Sequence, residues 1–332
     1  MSSDFPLFLA PMAGVTNTVF RRICRAKGAD VLTTEFVSAE GILHRNDRTK
    51  YYLEFTEDER PLGVQLFGAE PDRLAEAAKA VIDWVQPDFL DLNFGCPVNK
   101  VVSKNGGSSL LRDCPLLERV ASAVVKAAAP VPVTAKIRIG WDSQTINAKQ
   151  TARLLENCGI QRLAVHGRTK EQSYSGLADW NVIAEVAEAV RMPVIGNGDI
   201  TSATDALKRK RETGVSGLMI GRAAMASPWI FSEIRAALRD DAVPPAPTLE
   251  ERWTLIREHC VGEIAWRGDE KMALRSMRGR LMAYTKGMAG GARLRERLAH
   301  VGSLAGLEDI VAFHLESVAA GRDLSHSEVV AA

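Results

Sequence analysis

A chain of 332 residues, 46% hydrophobic and 25% charged with a formal net charge of +1, has the makeup of an ordinary globular protein and excludes a disordered or collagen-like one. The apolar stretch "VASAVVKAAAPVPVTAKI" is broken by Lys126 and two prolines, so no membrane span is expected, and an N-terminus without a basic leader or cleavage pattern points to the cytoplasm. Near-neutral charge offers no global attraction to nucleic acid, and five scattered cysteines with no C-x-x-C pair or nearby histidine set support neither a disulfide framework nor a metal site.

Eight short apolar runs recur in chain order: "LFLAP", "VLTTE", "LGVQLFG", "FLDLNFG", "VTAKIRIG", "LAVHG", "VIGNGD" and "GLMIGRA". Each is continuously hydrophobic, as parallel strands covered on both faces should be. Helices are predicted between them at 71–86, 113–128, 145–158, 179–190 and 201–213. The first opens on Pro71-Asp72 and puts Leu74, Ala77, Ala78, Val81, Ile82 and Val85 along one face. Such alternation fits a closed (β/α)₈ barrel or an open doubly wound sheet. The number of strands, and the polar or glycine residues at nearly every strand's carboxyl end, favour the barrel, a TIM-type α/β fold. The proline-rich "RDDAVPPAPTLEE" reads as a linker, and no strand-like run follows it. The expected organisation is therefore a barrel catalytic domain over 1–243 and a small all-helical C-terminal domain over 244–332.

The strand ends supply the chemistry. Pro11, Met12, Ala13 and Gly14 form a small-residue turn after the first strand, which serves either as a plain βα turn or as a close backbone approach to a flat ligand. Gln65 ends the third strand as a structural amide or as a partner for a ring's donor and acceptor edge. Lys136 and Arg138 alternate in "TAKIRIG" and so share a face; inside a barrel, two cations call for an anionic or polar ligand unless they reach solvent at the strand end. His166 and Arg168 repeat the pattern, and Tyr174 follows in the next loop. Asn197, Gly198, Asp199, Gly221 and Arg222 lie in glycine-rich turns after the last two strands, where backbone N–H groups and Arg222 would suit a phosphate. Asn93 and Cys96 follow the fourth strand in "LDLNFGCPVNK". A free cysteine is usually a small buried hydrophobe. Here Gly95 and Pro97 place the thiol on a turn, and with an ordinary pKa of about 8.5 it could act as an acid at neutral pH.

Taken together and in this order, "LAPMAGVT", "TEF", "VQLFG", "LNFGCPVNKV", "GGSSLL", "KIRIGW", "VHGRT", "NGD" and "MIGRAA" resemble the tRNA-dihydrouridine synthases, and the likeness covers nearly the whole chain, including the tail. The resemblance implies a barrel that binds FMN at its mouth, a helical tRNA-binding domain, and NADPH-dependent reduction of the C5–C6 bond of uridines in tRNA. It assigns Pro11, Met12, Ala13, Gln65, Lys136, His166, Asn197, Gly198, Asp199, Gly221 and Arg222 to FMN. Cys96 would give a proton to C5 as flavin N5 gives hydride to C6, while Asn93, Arg138 and Tyr174 would meet the uracil. The target base must leave the stack to reach a barrel mouth. No obligate protein partner is implied. Two other readings stay open: an FMN barrel enzyme acting on a small pyrimidine, like the dihydroorotate dehydrogenases, and a non-catalytic tRNA-binding protein.

Residues 271–297 carry eight basic residues, Lys271, Arg275, Arg278, Arg280, Lys286, Arg293, Arg295 and Arg297, against Glu296 alone. Such a one-sided run is a solvated helix face or a phosphate-facing surface; Arg275, Arg278 and Lys286 are the expected tRNA contacts. "LKRKRE" at 207–212 is a second basic cluster open to both readings. Without an aromatic platform in the tail, phosphate and shape recognition are expected there.

Overall fold

The computed structural model describes residues 4–321 except 46, 99–101 and 103–105. By its contacts the chain divides into two compact units: residues up to Gly221 together with Ile230–Val243, and Arg222–Trp229 together with the chain from Pro244 onward. The short segment 222–229, which the sequence reading leaves with the barrel, thus groups with the helical unit.

The first unit is a parallel barrel. Its strands are β1 (Leu7–Leu9), β2 (Leu32–Thr33), β3 (Val37–Ser38), β4 (Leu62–Phe67), β5 (Phe89–Phe94), β6 (Val133–Arg138), β7 (Leu163–His166), β8 (Val194–Asn197) and β9 (Gly217–Ile220). β2 and β3 both pair with β4, so "VLTTE" and the residues after it form one stave interrupted at 34–36. The order runs β1-β9-β8-β7-β6-β5-β4-β2, and a parallel bridge between Phe8 and Val31 brings the two ends together. Eight staves result, in agreement with the sequence.

Alternation along each strand divides the apolar runs into two sets. Leu7, Leu9, Leu62, Val64, Leu66, Leu90, Leu92, Ile137, Leu163, Val165, Leu218 and Ile220 are fully buried or nearly so on the outer parity, where they pack under helices. The inner parity carries Phe8, Phe89, Ala164, Ile195 and Met219, a single cluster capped by Met12. Higher in the barrel the same parity turns polar: Gln65, Asp91, Asn93, Thr134, Lys136, Arg138, His166 and Asn197. At the amino-terminal end Arg162 fills the axis, its guanidinium 4.8 Å from the ring centres of both Phe8 and Phe89. Burial lowers its pKa, an effect opposed by Asp91.

The covering helices begin where the sequence places caps. They are α1 (Thr18–Ala26), α2 (Ala39–Leu43), α3 (Asp47–Leu53), α4 (Pro71–Val85), α5 (Cys114–Ala128), α6 (Ala148–Asn157), α7 (Trp180–Ala189) and α8 (Ala203–Thr213). Asp113, Asp179 and Ser202 cap α5, α7 and α8 by accepting from first-turn N–H groups. The helical unit holds α9 (Arg222–Ala226), while α10 (Ile230–Leu238) belongs to the barrel. Then come α11 (Leu249–Arg267), opened by a Thr248/Glu251 capping box, α12 (Glu270–Tyr284), α13 (Gly291–Ala299) and α14 (Leu304–Ala319). Among the described residues no helix is long and apolar enough to cross a membrane.

Candidate active site

The turn that carries Cys96 is built from the strand below it. Asn93 accepts the backbone N–H of Cys96 at 2.8 Å and that of Gly95 at 3.2 Å through its amide oxygen. Its amide nitrogen donates to Gln65 Oε1 at 2.7 Å, and Gln65 Nε2 donates to Asp91 Oδ2 at 2.7 Å. Asp91 Oδ1 in turn accepts from the Thr134 hydroxyl at 2.5 Å. Every member of this chain is buried, so each bond replaces one that water would otherwise make. Gly95 is required by close approach: a Cβ there would lie 3.1 Å from the carbonyl carbon of Ile137 in β6. Arg138 clamps the same turn, its Nε donating to the Gly95 carbonyl at 3.0 Å and its Nη1 to the carbonyls of Thr169 and Ser173 at 2.8 Å each. The guanidinium also stands 5.8 Å from the ring centre of Tyr174, which is 59% exposed.

The thiol held in this way is only 8% exposed. Burial pushes its pKa up, opposed by the Val98 backbone N–H and the positive charges of Lys136 and Arg138, so it keeps its proton at neutral pH. Lys136 stands beside Asn93 in the β5–β6 register. Burial, then Arg138, lowers its pKa to about 8, and Asp91 acts in the opposite sense. No hydrogen bond from its ammonium to a described residue is made, which leaves a half-buried donor facing the mouth. Burial raises the pKa of Asp91 against its Thr134 and Gln65 hydrogen bonds.

The register continues across the mouth, Arg138 beside His166 and His166 beside Asn197. Asn197 Nδ2 donates to the Met219 carbonyl at 2.7 Å. Gly198 has φ 137°, and a Cβ on it would meet that of Ala178 at 2.6 Å. Asp199, also left-handed with φ 48°, turns its carboxylate away to Arg168 Nη2, 2.8 Å from each oxygen. That carboxylate also accepts the Ala178 N–H at 2.7 Å and is thus engaged within the protein. Gly221 follows β9, and a Cβ on it would lie only 3.4 Å from that of Ala10 and 3.5 Å from Met12 Sδ. Arg222, at the first residue of α9, is exposed and groups with the helical unit. Pro11, Met12 and Ala13 lie in the turn after β1; Gly14 N–H there donates to the buried Glu35 at 2.6 Å.

The structure therefore gathers Gln65, Asn93, Cys96, Lys136, Arg138, His166 and Asn197 on one inner face. Gln65, Asn93 and Arg138, expected to touch ligands, also build the turn under the thiol. Asp91, Thr134 and Glu35 are absent from the sequence reading. Asp91 had a signal, a charge in an apolar strand at the same parity as Asn93.

In the helical unit the basic run separates by burial. Lys271, Arg275 and Lys286 are exposed, and Arg278, Arg293, Arg295 and Arg297 are half-buried. Arg278 donates to the Val301 carbonyl at 3.1 Å. Arg280 is a correction to the expected surface: it is buried, donating to His259 Nε2 at 2.8 Å and lying 3.9 Å from Glu263. His259 is consequently a neutral imidazole whose Nδ1 meets Tyr284 Oη at 2.9 Å, with its pKa lowered to about 4 chiefly by burial. In the 207–212 cluster, Arg209 covers the Trp180 ring at 5.1 Å and Lys210 the Phe5 ring at 5.1 Å, so part of that charge serves barrel packing.

Comparison with known proteins decides what this arrangement belongs to. Residues 8–318 match the model of the family described as Dihydrouridine synthase (Dus). The chain belongs to the dihydrouridine synthase family. It is 42% identical over 291 residues to tRNA-dihydrouridine synthase B of Pseudomonas putida, covering 88% of this chain and 86% of that one. It is 41% identical over 289 residues to the protein of the same name from Pseudomonas aeruginosa, covering 87% and 86%. Among solved structures, the barrel resembles the crystal structure of TcOYE with pHBA, with a TM-score of 0.54 at 13% identity over 74% of this chain and 91% of that one. A variant of NCR from Zymomonas mobilis gives 0.50 at 13% identity over 72% and 87%. At such identity these two structures speak for the fold alone. As a dihydrouridine synthase the chain is an oxidoreductase acting on uridine in tRNA, which decides against a small-pyrimidine enzyme and a non-catalytic binder.

Proposed function

We propose that this dihydrouridine synthase uses FMN, reduced by NADPH, and that Cys96 protonates C5 of the uracil. The observation that carries this reading is the Cys96 thiol: protonated, nearly buried, and fixed by Asn93 and Arg138 beside Lys136.

The residues at the mouth fit a flavin. Lys136 brings a cation without a hydrogen-bond acceptor among the described residues, suited to the electron-rich edge of an isoalloxazine. Pro11, Met12 and Ala13 offer a small apolar bed, and Met12 and Gly221 lie close enough to leave no room for a bulkier pair. The backbone of Asn197, Gly198, Asp199 and Gly221, with His166 nearby, presents polar groups to the phosphate side. When bound, FMN supplies the hydride for C6.

The protein's own part is positioning and acid catalysis. As C6 gains hydride, electron density moves toward C5. The Cys96 S–H bond breaks, its proton goes to C5, and the thiolate is left beside Lys136 and Arg138, whose charges stabilise it. A thiolate formed in this pocket recovers its proton readily because burial raises its pKa. Tyr174, exposed over Arg138, would meet the uracil.

The decisive test is dihydrouridine mapping by mass spectrometry in tRNA from cells lacking this gene, with reconstitution by the purified yellow protein and NADPH. Loss of dihydrouridine at a defined position supports the reading, and an unchanged map overturns it. Two further outcomes are expected here. FMN affinity should fall as pH rises through about 8, because Lys136 binds an acceptor only when protonated; a flavin titration that is flat from pH 7 to 9 removes Lys136 from the site. Asn93→Ala should loosen the turn by about 1–3 kcal/mol, seen as faster alkylation of Cys96 together with lower kcat.

A further inference from the structure

Beneath the turn that bears Cys96, the sheet register gathers a small group of polar side chains. Gln65 of β4 stands beside Asp91 of β5, Asp91 stands beside Thr134 of β6, and Asn93 follows Asp91 at the same parity. All four are buried, Gln65 completely. The hydrogen bonds from the turn down to Asp91 run in one direction. The N–H groups of Gly95 and Cys96 donate to Asn93 Oδ1, Asn93 Nδ2 donates to Gln65 Oε1, and Gln65 Nε2 donates to Asp91 Oδ2. Each side-chain amide accepts on its oxygen and donates from its nitrogen, so the last nitrogen requires an acceptor. Asp91 is that acceptor.

Thr134 cannot stand in for it. The register puts Thr134 on the far side of β5 from Gln65, two strand spacings or about 10 Å away. Its hydroxyl donates to Asp91 Oδ1 at 2.5 Å, which leaves Oδ2 to Gln65. A buried amide N–H without a partner is unfavourable enough to draw its side chain toward another acceptor. If Gln65 turned away, its oxygen would leave Asn93 and the orientation of Asn93 would no longer be held from below. With its own amide turned over, Asn93 would set N–H against the N–H groups of Gly95 and Cys96. The thiol would then lose the backbone that fixes it.

We propose that Asp91 is a positioning residue for proton transfer from Cys96: by accepting from Gln65 it keeps Gln65 Oε1 on Asn93, and thereby keeps Asn93 Oδ1 on the backbone of the turn that places the thiol. The proposal rests on the reading of Cys96 as the acid that protonates C5. What the reaction needs from Asp91 is an acceptor oxygen and not a negative charge.

Three variants of the full-length protein test this by amide hydrogen exchange at Gly95 and Cys96, together with single-turnover uridine reduction in tRNA per bound flavin. Asp91→Leu keeps similar bulk and removes the acceptor; exchange of the two amides should quicken and turnover should fall, each about tenfold, as for one hydrogen bond lost. Asp91→Asn keeps an acceptor, with its oxygen toward Gln65 and its amide nitrogen toward the Thr134 hydroxyl, and should stay close to wild type in both measurements. Adding Gln65→Glu to Asp91→Leu supplies a carboxyl group that has no N–H₂ to satisfy and still accepts from Asn93. Exchange at Gly95 and Cys96 should then return close to wild type despite the leucine, whereas a mere packing role for Asp91 predicts further damage. Wild-type exchange at the two amides in Asp91→Leu, an Asp91→Asn protein as damaged as Asp91→Leu, or no recovery in the double variant would each overturn the proposal. Should Asp91→Leu alone fail to fold, the double variant decides: a folded protein with both amides protected supports the proposal, and a second unfolded protein overturns it. Quickened exchange in Asp91→Leu with full turnover would instead overturn the parent reading of Cys96 as the acid, and is distinguishable from all of these.

Discussion

Cys96→Ala is expected to retain bound FMN and its reduction by NADPH while turnover on tRNA falls by about 10²–10⁴, the usual contribution of a positioned general acid. The cause is local. The turn is fixed through the backbone N–H groups of Gly95 and Cys96 and the Gly95 carbonyl, all of which survive the substitution. Cys96→Ser should recover little, because a hydroxyl is a far weaker acid than a thiol. The wild-type pH profile should hold through neutrality and decline only on the alkaline side, above the ordinary thiol value, since burial raises the pKa and the acid must be protonated to act. Full turnover by the alanine variant, measured as dihydrouridine formed per enzyme under single-turnover conditions, would remove Cys96 from the mechanism.

Neutralising Arg275 and Lys286 together should weaken tRNA binding and make log K less steep in log salt by roughly 1.4–1.8, as expected for two lost phosphate contacts. Both are exposed, on and just after α12, and neither supports the fold. Reduction of FMN by NADPH should be unaffected. Arg278 is a less clean target than the sequence implies, because it also satisfies the Val301 carbonyl. Arg280→Ala would test something else: it takes from the buried His259 its Nε2 partner and from Glu263 the more distant of its two arginines, Arg267 remaining at 3.0 Å, and should lower stability by about 1–3 kcal/mol. An unaltered salt slope in the Arg275/Lys286 double variant would place the tRNA elsewhere on the molecule.

The barrel was legible because its strands are covered on both faces, and continuous apolar runs such as "FLDLNFG" can hardly be anything else. What such a run hides is parity. Asp91 sits among aliphatic residues, yet shares its side with Gln65 and Asn93 through the sheet register, and only closure of the barrel brings the three into one chain of hydrogen bonds. Arg162 was hidden for a related reason: it precedes its strand, where a charge reads as solvent-exposed, and nothing local says that two phenyl rings from distant strands will enclose it. Arg280 could have been found. It lies three residues after Met277 and four before Tyr284, both buried, so the helical period places it on the inner face despite the basic residues around it. The interruption of the second stave at 34–36 and the grouping of 222–229 with the helices depend on tertiary contacts that no local pattern encodes.

The stacked Phe8–Arg162–Phe89 plug leaves a void of only about 10 Å³ at the lower end of the barrel, room for hardly one water. Among the described residues the lower end of the vessel is therefore stoppered. On the proposed reading, an electron donor and the tRNA are then expected to take turns at the upper rim, each visitor departing before its successor is admitted.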